Sequence, residues 1–170
     1  AVSAADRDSL AAQMADRSVC IGPSPAAASY LRPDLVVHAA MTTDCDALHP
    51  GYGFLAERPE LAKICQENGI IFVGPEPVTI ELMGNKLTAR EVARLCSVPL
   101  LPASGPIDDK DDAEEFAALV GFPLLIKAAS GGGGRGMREV LDPGDLHRAL
   151  QTTKLEARAA FGDDTIYLER

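Results

Sequence analysis

A run of glycines near residue 130 is the part of this sequence best suited to chemistry. Ser130 is followed by four glycines, Arg135 and a further glycine, Gly136. Consecutive glycines lose more backbone entropy on folding than other residues, so a fold keeps them where no side chain fits. One such place is a loop whose backbone N–H groups close on phosphates. We therefore interpret the run as a nucleotide-binding loop, with a flexible linker as the alternative.

The residues that flank the glycines restrict which kind of loop this is. The run matches GxGxxG at Gly131, Gly133 and Gly136, but a dinucleotide-binding fold needs a helix directly after that motif. Residues 137–141 have a strand pattern instead, and no Gly-Lys-Ser/Thr follows as in a P-loop. The pattern favours a glycine-rich hairpin that folds over a nucleotide as a lid.

Two lysines are the candidate phosphate ligands. Lys127 lies in an apolar strand pattern just before the glycines. A lysine there must reach water or meet an anion, and we favour a phosphate over an edge-strand lysine that faces solvent. Lys86 starts a predicted helix, where a cation opposes the helix dipole by about 0.3–1 kcal/mol. That cost makes sense if the helix N-terminus faces a phosphate, and an exposed, screened lysine is the equal alternative. Arg135 and Arg138 are weaker candidates for phosphate contact.

Short strands and helices must position these residues. Strands are predicted at residues 18–22, 47–49, 70–73, 100–101, 122–129, 137–141 and 165–168. Helices are predicted at residues 34–43, 57–68, 78–83, 85–97, 111–120 and 143–161. Their alternation in the first part indicates a parallel sheet with helices on its faces, whereas the second part runs β-β-α-β with the glycine turn in its hairpin. We place the domain boundary near residue 100.

The loop Pro50–Phe54 directly follows the strand at residues 47–49. In parallel sheets, ligands bind at the carboxyl ends of the strands. The loop is therefore a second candidate site, and a simple Pro-Gly turn is the alternative.

Composition excludes some functions and leaves many open. The net charge of -9 argues against nonspecific nucleic-acid binding. No apolar run is long enough for a membrane span, and no secretory signal opens the sequence. The four cysteines show no metal-ligand spacing. We therefore expect their side chains to be buried as small apolar groups, in a protein of the reducing cytoplasm. Neither end has the loose polar composition of a natural terminus, so we expect a fragment.

Four motifs in one order resemble those of biotin carboxylase. They are LHPGYGFL from Leu48 to Leu55, FVGP from Phe72 to Pro75, LMGNK from Leu82 to Lys86, and IKAASGGGGRGM from Ile126 to Met137. The first is specific to that family, whereas other ATP-grasp ligases share a looser glycine loop. Asn85 stands where aspartate is usual, which should matter little to phosphate binding.

The resemblance implies an α/β fold in two parts. Residues 1–100 would form a partial, Rossmann-like pre-ATP-grasp domain with a parallel sheet and linker helices from about residue 77. Residues 101–170 would form the α+β lid subdomain of an ATP-grasp enzyme. The C-terminal catalytic domain, with the Mg2+ carboxylates, would lie outside this chain.

The resemblance also implies a reaction. Biotin carboxylase uses ATP and Mg2+ to turn bicarbonate into carboxyphosphate, and then carboxylates biotin on a carrier protein. A biotin carboxyl carrier, a carboxyltransferase and a second copy of the full-length protein would be partners, as in an acyl-CoA or pyruvate carboxylase. Neither a membrane nor a nucleic acid is expected as a partner. Another ATP-grasp ligase and a noncatalytic nucleotide-binding module remain the alternatives.

The site residues implied by the resemblance fall into two groups. Lys86 and Lys127 would bind the ATP phosphates, with backbone N–H groups from Gly133 and Gly134. Met137 and Leu125 would pack near the adenine, and Glu169 and Arg170 would begin the hinge that reads the adenine edge. On the biotin and bicarbonate side, the residues would be Tyr52, Gly53 and Glu57.

Overall fold

The computed structural model describes residues 1–131, 134 and 136–170. The chain divides into two compact units, residues 1–81 and 82–170, and each contains its own hydrophobic cluster. The division falls within the stretch from residue 77 in which linker helices are predicted. The boundary near residue 100, which would delimit a lid subdomain, stays a prediction.

The first unit is built on a short parallel pairing. Its elements are α1 (Leu10–Met14), α2 (Pro33–Thr42), β1 (Ala47–Leu48), α3 (Pro59–Glu67), β2 (Ile71–Phe72) and the start of α4 (Pro77–Gly84). Ala47 lies opposite Ile71 and Leu48 opposite Phe72, and α3 is the crossover that a parallel pair needs. The core beneath this pair consists of Val37, Ala40, Leu48, Leu55, Leu61, Cys65 and Ile70.

The second unit is built on an antiparallel sheet. Its remaining elements are α5 (Lys86–Leu95), α6 (Lys110–Val120), β3 (Leu124–Ala128), β4 (Met137–Val140), α7 (Leu146–Phe161) and β5 (Ile166–Glu169). The strand order is β4-β3-β5, with both pairings antiparallel. The predicted β-β-α-β order is confirmed, and with it the α/β fold class.

The two faces of this sheet have different roles. Leu124, Ile126 and Ala128 are buried, and the first two belong to the core that includes residues of α6 and α7. Side chains alternate along a strand, so Leu125 and Lys127 point to the opposite face. The register places Met137 and Tyr167 opposite Lys127, so all three lie on this second face.

Lys127 does not lie on an edge strand, which corrects one alternative. β3 is the central strand of the three, so its backbone groups pair on both sides. The side chain of Lys127 is only 21% exposed. An edge lysine that faces solvent is therefore the wrong interpretation.

Two predicted strands are wrong. Residues 18–22 form no strand, and only Cys20 makes an isolated parallel bridge, to Val2. Leu100 and Leu101 form none either, because Pro99 and Pro102 flank them and proline has no N–H to donate. Backbone pairing with β5 occurs just beyond, where Ala103 bridges Glu169.

The cysteines are less buried than predicted. Cys65 is fully buried in the first unit, whereas Cys20, Cys45 and Cys96 are exposed, and all four thiols are free. Apolar neighbours in sequence did not predict burial, because the three exposed cysteines lie outside the helices and strands named above.

Over the described part of the chain, every helix is too short or too polar to cross a bilayer.

Candidate functional site

Glu169 is the centre of a charge cluster on the second face of the sheet. Its carboxylate accepts from the Lys127 ammonium through one oxygen. Its other oxygen, Oε1, accepts from Nη1 of Arg90 on α5, and these two atoms are 2.5 Å apart. The glutamate side chain is 9% exposed, and the two cations are 21% exposed. Lys127 therefore meets an anion within its own unit, as a lysine in an apolar strand must.

Lys86 lies beside this cluster at the first position of α5. Its backbone N–H donates to the Ala129 carbonyl, and its ammonium donates to the Gly131 carbonyl. Burial lowers the pKa of Lys86 below its ordinary value of 10.5, and the nearby Lys127 ammonium lowers it further. Both predicted lysines therefore lie together at the start of the glycine run.

The described ends of the glycine run are packed against the end of α7. A Cβ added at Gly131 would collide with the ring of Phe161, and one added at Gly136 would lie 2.8 Å from the Ala128 Cβ and 3.2 Å from the Phe161 ring. Both glycines have positive φ, +85° and +68°. Glycine is required at these two positions for space and for backbone conformation.

Asp163 holds the first end of the run. Ser130 donates its hydroxyl proton to Asp163 Oδ2 at 2.5 Å, and the Thr165 N–H donates to Asp163 Oδ1 at 3.0 Å. These two hydrogen bonds, that from Ser130 first, hold the pKa of Asp163 below its ordinary 3.8. Asp163 thus links Ser130, which follows β3, to Thr165, which precedes β5.

The middle of the hairpin is only partly described. Gly133 and Arg135, two of the predicted phosphate contacts, lie outside the described residues. Gly134 has a φ of +77° and is exposed. Arg138 is opposite Ile126 in the register and pairs with Glu156 at 2.8 Å, so it lies on the core face of the sheet. A phosphate contact by Arg138 beside Lys127 is therefore wrong.

The predicted adenine contacts have distinct surroundings. Met137 is 45% exposed and lies on the face of Lys127, where Leu125 is half-buried. Arg170 is exposed, and its backbone N–H donates to the Pro102 carbonyl while its guanidinium donates to the Val120 carbonyl. Met137 and Leu125 thus offer an apolar surface on the same face as the charge cluster.

Tyr52, Gly53 and Glu57 lie together on one segment of the first unit. Tyr52 is fully exposed, and Gly53, with a φ of +70°, precedes a 3-10 turn from Phe54 to Glu57. Glu57 belongs to this turn and not to α3, which begins at Pro59. Phe54 itself has a φ of +47°, a strained conformation for a bulky residue, and its ring stacks on Tyr30 at 6.2 Å. Such strain is common at binding sites.

Two residues of the second-unit site were missed from the sequence. Arg90 follows Lys86 by four residues, so a helix places both on one side, and this spacing was a usable signal. Asp163 carried no such signal, because its partner Ser130 is 33 residues away.

The arrangement can bind a compact polyanion. It offers two lysine ammonium groups, a glycine backbone and an adjacent apolar surface. Among the described residues, no group of three or more His, Cys, Asp or Glu side chains could hold a metal ion.

Comparisons with known families divide the chain in the same way. Residues 1–80 match the biotin carboxylase N-terminal domain. Residues 85–170 match the ATP-binding domain of the carbamoyl-phosphate synthase L chain. The two matches fall on the first and second units, respectively.

Known proteins resemble the chain over nearly its whole length. It is 48% identical to the biotin carboxylase of Allochromatium vinosum over 170 residues, which are 99% of this chain and 38% of that protein. A biotin carboxylase–beta-gamma-ATP complex from Campylobacter jejuni has a TM-score of 0.94 and 40% identity, over 99% of this chain and 38% of that one. The biotin carboxylase domain dimer of Hydrogenobacter thermophilus 2-oxoglutarate carboxylase, with MgADP, ADP and bicarbonate, has a TM-score of 0.91 and 38% identity, over 98% and 37%.

The chain thus spans just over a third of the length of these relatives. Its two units carry, in order, the family's N-terminal domain and an ATP-binding domain. The chain belongs to the biotin carboxylase family.

Proposed function

We propose that the full-length protein is a biotin carboxylase and that this chain supplies part of its ATP site. The enzyme would use ATP and Mg2+ to convert bicarbonate into carboxyphosphate, and would then carboxylate the ureido nitrogen of carrier-bound biotin. The observation that carries the proposal is the pair of half-buried lysines beside the glycine hairpin, where Lys127 lowers the pKa of Lys86. Two ammonium groups this close repel each other, and a polyphosphate that contacts both would offset that repulsion.

We propose a role for each of the residues in this arrangement. Lys86 and Lys127 bind phosphate oxygens, and Gly133 and Gly134 donate backbone N–H groups to them. Support comes from the position of both lysines at the base of the hairpin, where Lys86 already donates to the carbonyl of Gly131.

The adenine is proposed to lie beside the same face of the sheet. Met137 and Leu125 contact its ring, and the backbone of Glu169 and Arg170 reads its edge. The apolar, partly exposed surface at Met137 supports this placement. Bound Mg2+ would neutralise phosphate charge, and we expect its carboxylate ligands outside this chain.

Tyr52, Gly53 and Glu57 are proposed to line the biotin and bicarbonate side. Support comes from the fully exposed ring of Tyr52 and from the strained neighbour Phe54. A residue held in such a conformation fixes the direction of the loop that carries Tyr52.

We further propose a biotin carboxyl carrier and a carboxyltransferase as partners, and a homodimer of the full-length protein in the cytoplasm. The dimer is supported by the Hydrogenobacter structure, which is a biotin carboxylase domain dimer. The final carboxyl acceptor, an acyl-CoA or pyruvate, depends on the carboxyltransferase.

A different ATP-grasp ligase is the second candidate. The match of residues 85–170 to the carbamoyl-phosphate synthase ATP-binding domain favours it, because that model is named for a different enzyme and one fold can carry several activities. The match of residues 1–80 to the biotin carboxylase N-terminal domain argues for biotin as the acceptor.

The test is ATP hydrolysis by the full-length protein with bicarbonate and Mg2+, with and without free biotin. We expect biotin to raise the rate and Lys127→Ala to abolish the rise. Loss of one charge-assisted contact costs about 1.5–3 kcal/mol, which is roughly tenfold to over a hundredfold in ATP affinity.

Lys110→Ala is the matched control, because Lys110 pairs with exposed Glu114 on the surface of α6 and such pairs contribute little. Turnover that does not respond to biotin would favour another ATP-grasp ligase. Absence of turnover would favour a noncatalytic nucleotide-binding module.

A further inference from the structure

Arg90 is assigned no contact with ATP in the proposed site, but its guanidinium pairs with Glu169, which also pairs with Lys127. The residue lies one helical turn after Lys86 on α5, and its guanidinium reaches across to Glu169 on β5, 79 residues later in the sequence. The second terminal nitrogen, Nη2, donates to the Leu101 carbonyl. Two oxygen partners therefore fix the guanidinium, and its orientation toward Glu169 is set by the fold.

Glu169 is the reason this contact matters. Its side chain is 9% exposed, and within the described residues its carboxylate accepts from two cations, one at each oxygen. A buried carboxylate that loses its partners is strongly unfavourable, because neither water nor another charge replaces them. Glu169 must therefore keep at least one cation whenever the fold is intact.

Lys127 has two competing anions if ATP binds as proposed. Its ammonium is held by Glu169, and a nucleotide phosphate would draw the same ammonium away or share it. Any hydrogen bond that the Lys127 ammonium makes to phosphate weakens its ion pair with Glu169. The energetic cost of that exchange lowers ATP affinity unless the carboxylate retains another partner.

We propose that Arg90 is a positioning residue of the ATP site, which keeps Glu169 paired when Lys127 turns to the nucleotide. This inference rests on the proposed function. Arg90 does not touch ATP in this account. It acts through Glu169, by making the transfer of Lys127 from carboxylate to phosphate less costly.

The test compares Arg90→Met in two backgrounds of the full-length protein, wild type and Glu169→Gln. Methionine keeps an apolar stem of similar reach and removes the charge. In the wild-type background, the Kd for MgATP should rise about tenfold, with the KM for bicarbonate unchanged. In the Glu169→Gln background, where no buried charge needs a partner, the same change should raise it less than about threefold.

Arg90→Lys is the second variant, because lysine keeps the charge without the fork of donors. It should recover part of the ATP affinity that Arg90→Met loses, and it keeps the test decisive if Arg90→Met fails to fold. Thermal unfolding of each variant separates a loss of stability from a loss of affinity. Equal fold-changes in the two backgrounds, or an Arg90→Met protein with normal ATP affinity, would overturn the proposal.

ATP affinity of Lys127→Ala separates an error in the role of Arg90 from an error in the placement of the ATP site. If Lys127→Ala binds MgATP as tightly as wild type, the ATP site itself is misplaced. If Lys127→Ala loses affinity and the Arg90 effect does not depend on Glu169, only the role of Arg90 is wrong.

Discussion

One hydrogen bond between side chains, from Ser130 to Asp163, fixes the residue at which the glycine run begins after β3. Ser130 donates to Asp163, which lies just after α7, and this hydrogen bond is the largest cause of the lowered pKa of Asp163. The partners lie 33 residues apart, so the bond ties the end of β3 to the segment before β5. Asp163 is thus an anchor for the hairpin.

Ser130→Ala removes the donor and should lower the free energy of unfolding by about 1 kcal/mol at neutral pH. A carboxyl whose pKa is depressed on folding adds stability above its unfolded value of 3.8, and that stability is lost as pH falls through the folded value. Urea denaturation should therefore show a difference between wild type and Ser130→Ala at pH 7 that shrinks near pH 3. A difference that is the same at both pH values would contradict this account.

Gly136→Ala tests the packing at the other end of the hairpin. The new Cβ would lie 2.8 Å from the Ala128 Cβ, at a φ of +68°. Overpacking and left-handed strain together should cost at least about 2 kcal/mol of unfolding free energy. Gly105→Ala is the control, because nothing lies within 4 Å of its added Cβ and the effect should stay within about 0.5 kcal/mol. Equal urea midpoints for the two variants would count against the packing explanation.

At the residue scale, sequence reasoning found the cations but not their counterion. Lys127 was predicted to bind a phosphate because it interrupts an apolar strand, and that role stays a prediction. In the structure its ammonium pairs with Glu169. That partner lies 42 residues away, and only the register of β3 with β5 brings the two together. The role of Glu169 as a buried carboxylate between two cations needed the fold.

At the scale of elements, α5 is the helix that matters most to the site, since it carries Lys86 and Arg90. Its N-cap is Asn85, whose side-chain oxygen accepts from the backbone N–H groups of Leu87 and Thr88 at 3.0 and 3.1 Å. These bonds satisfy two of the N–H groups that a helix start leaves unpaired. The cap therefore holds the turn from which Lys86 projects.

Asn85→Ala should lower the free energy of unfolding by about 1 kcal/mol, because the two N–H groups lose their acceptor. Asn85→Asp is the matched variant, since aspartate caps equally well and its charge favours the helix dipole. It should therefore be at least as stable as wild type in thermal or urea unfolding. An aspartate variant as unstable as the alanine variant would show that capping is not the function of Asn85.

The bounds of α6 were predicted closely, whereas the strand predicted at residues 100–101 is wrong, and the difference has a physical reason. α6 was expected at residues 111–120 and runs from Lys110 to Val120 behind the N-cap Asp109, because caps and periodicity are local signals. The strand expected at residues 100–101 depended on a distant partner. Prolines flank that segment on both sides, and the backbone pairing occurs at Ala103, which bridges Glu169.

At the scale of the whole molecule, the relatives that the chain matches are much longer. The chain spans 38% of the biotin carboxylase of Allochromatium vinosum. Both lysines and the glycine run lie in the second unit. The resemblance implies that the catalytic domain with the Mg2+ carboxylates lies outside this chain, which would hold ATP contacts and, at Tyr52, Gly53 and Glu57, part of the biotin and bicarbonate side. ATP contacts and catalysis would thus be divided along the enzyme.

The 170-residue chain alone should release no phosphate from MgATP in response to bicarbonate, because it would hold ATP contacts without the groups that perform the reaction. The measurement is inorganic phosphate release with and without bicarbonate, and the full-length protein is the positive control. Bicarbonate-dependent release by the chain alone would show that its residues suffice.

Cys65 gives the first unit a built-in chemical reporter. Its thiol is completely buried, and burial raises its pKa, whereas Cys20, Cys45 and Cys96 are exposed. Alkylating reagents attack the thiolate, so they should modify the three exposed cysteines quickly and Cys65 only when its core opens. Mass spectrometry of the fourth alkylation would then time the opening of residues 1–81 alone, without a label, a probe or an added mutation.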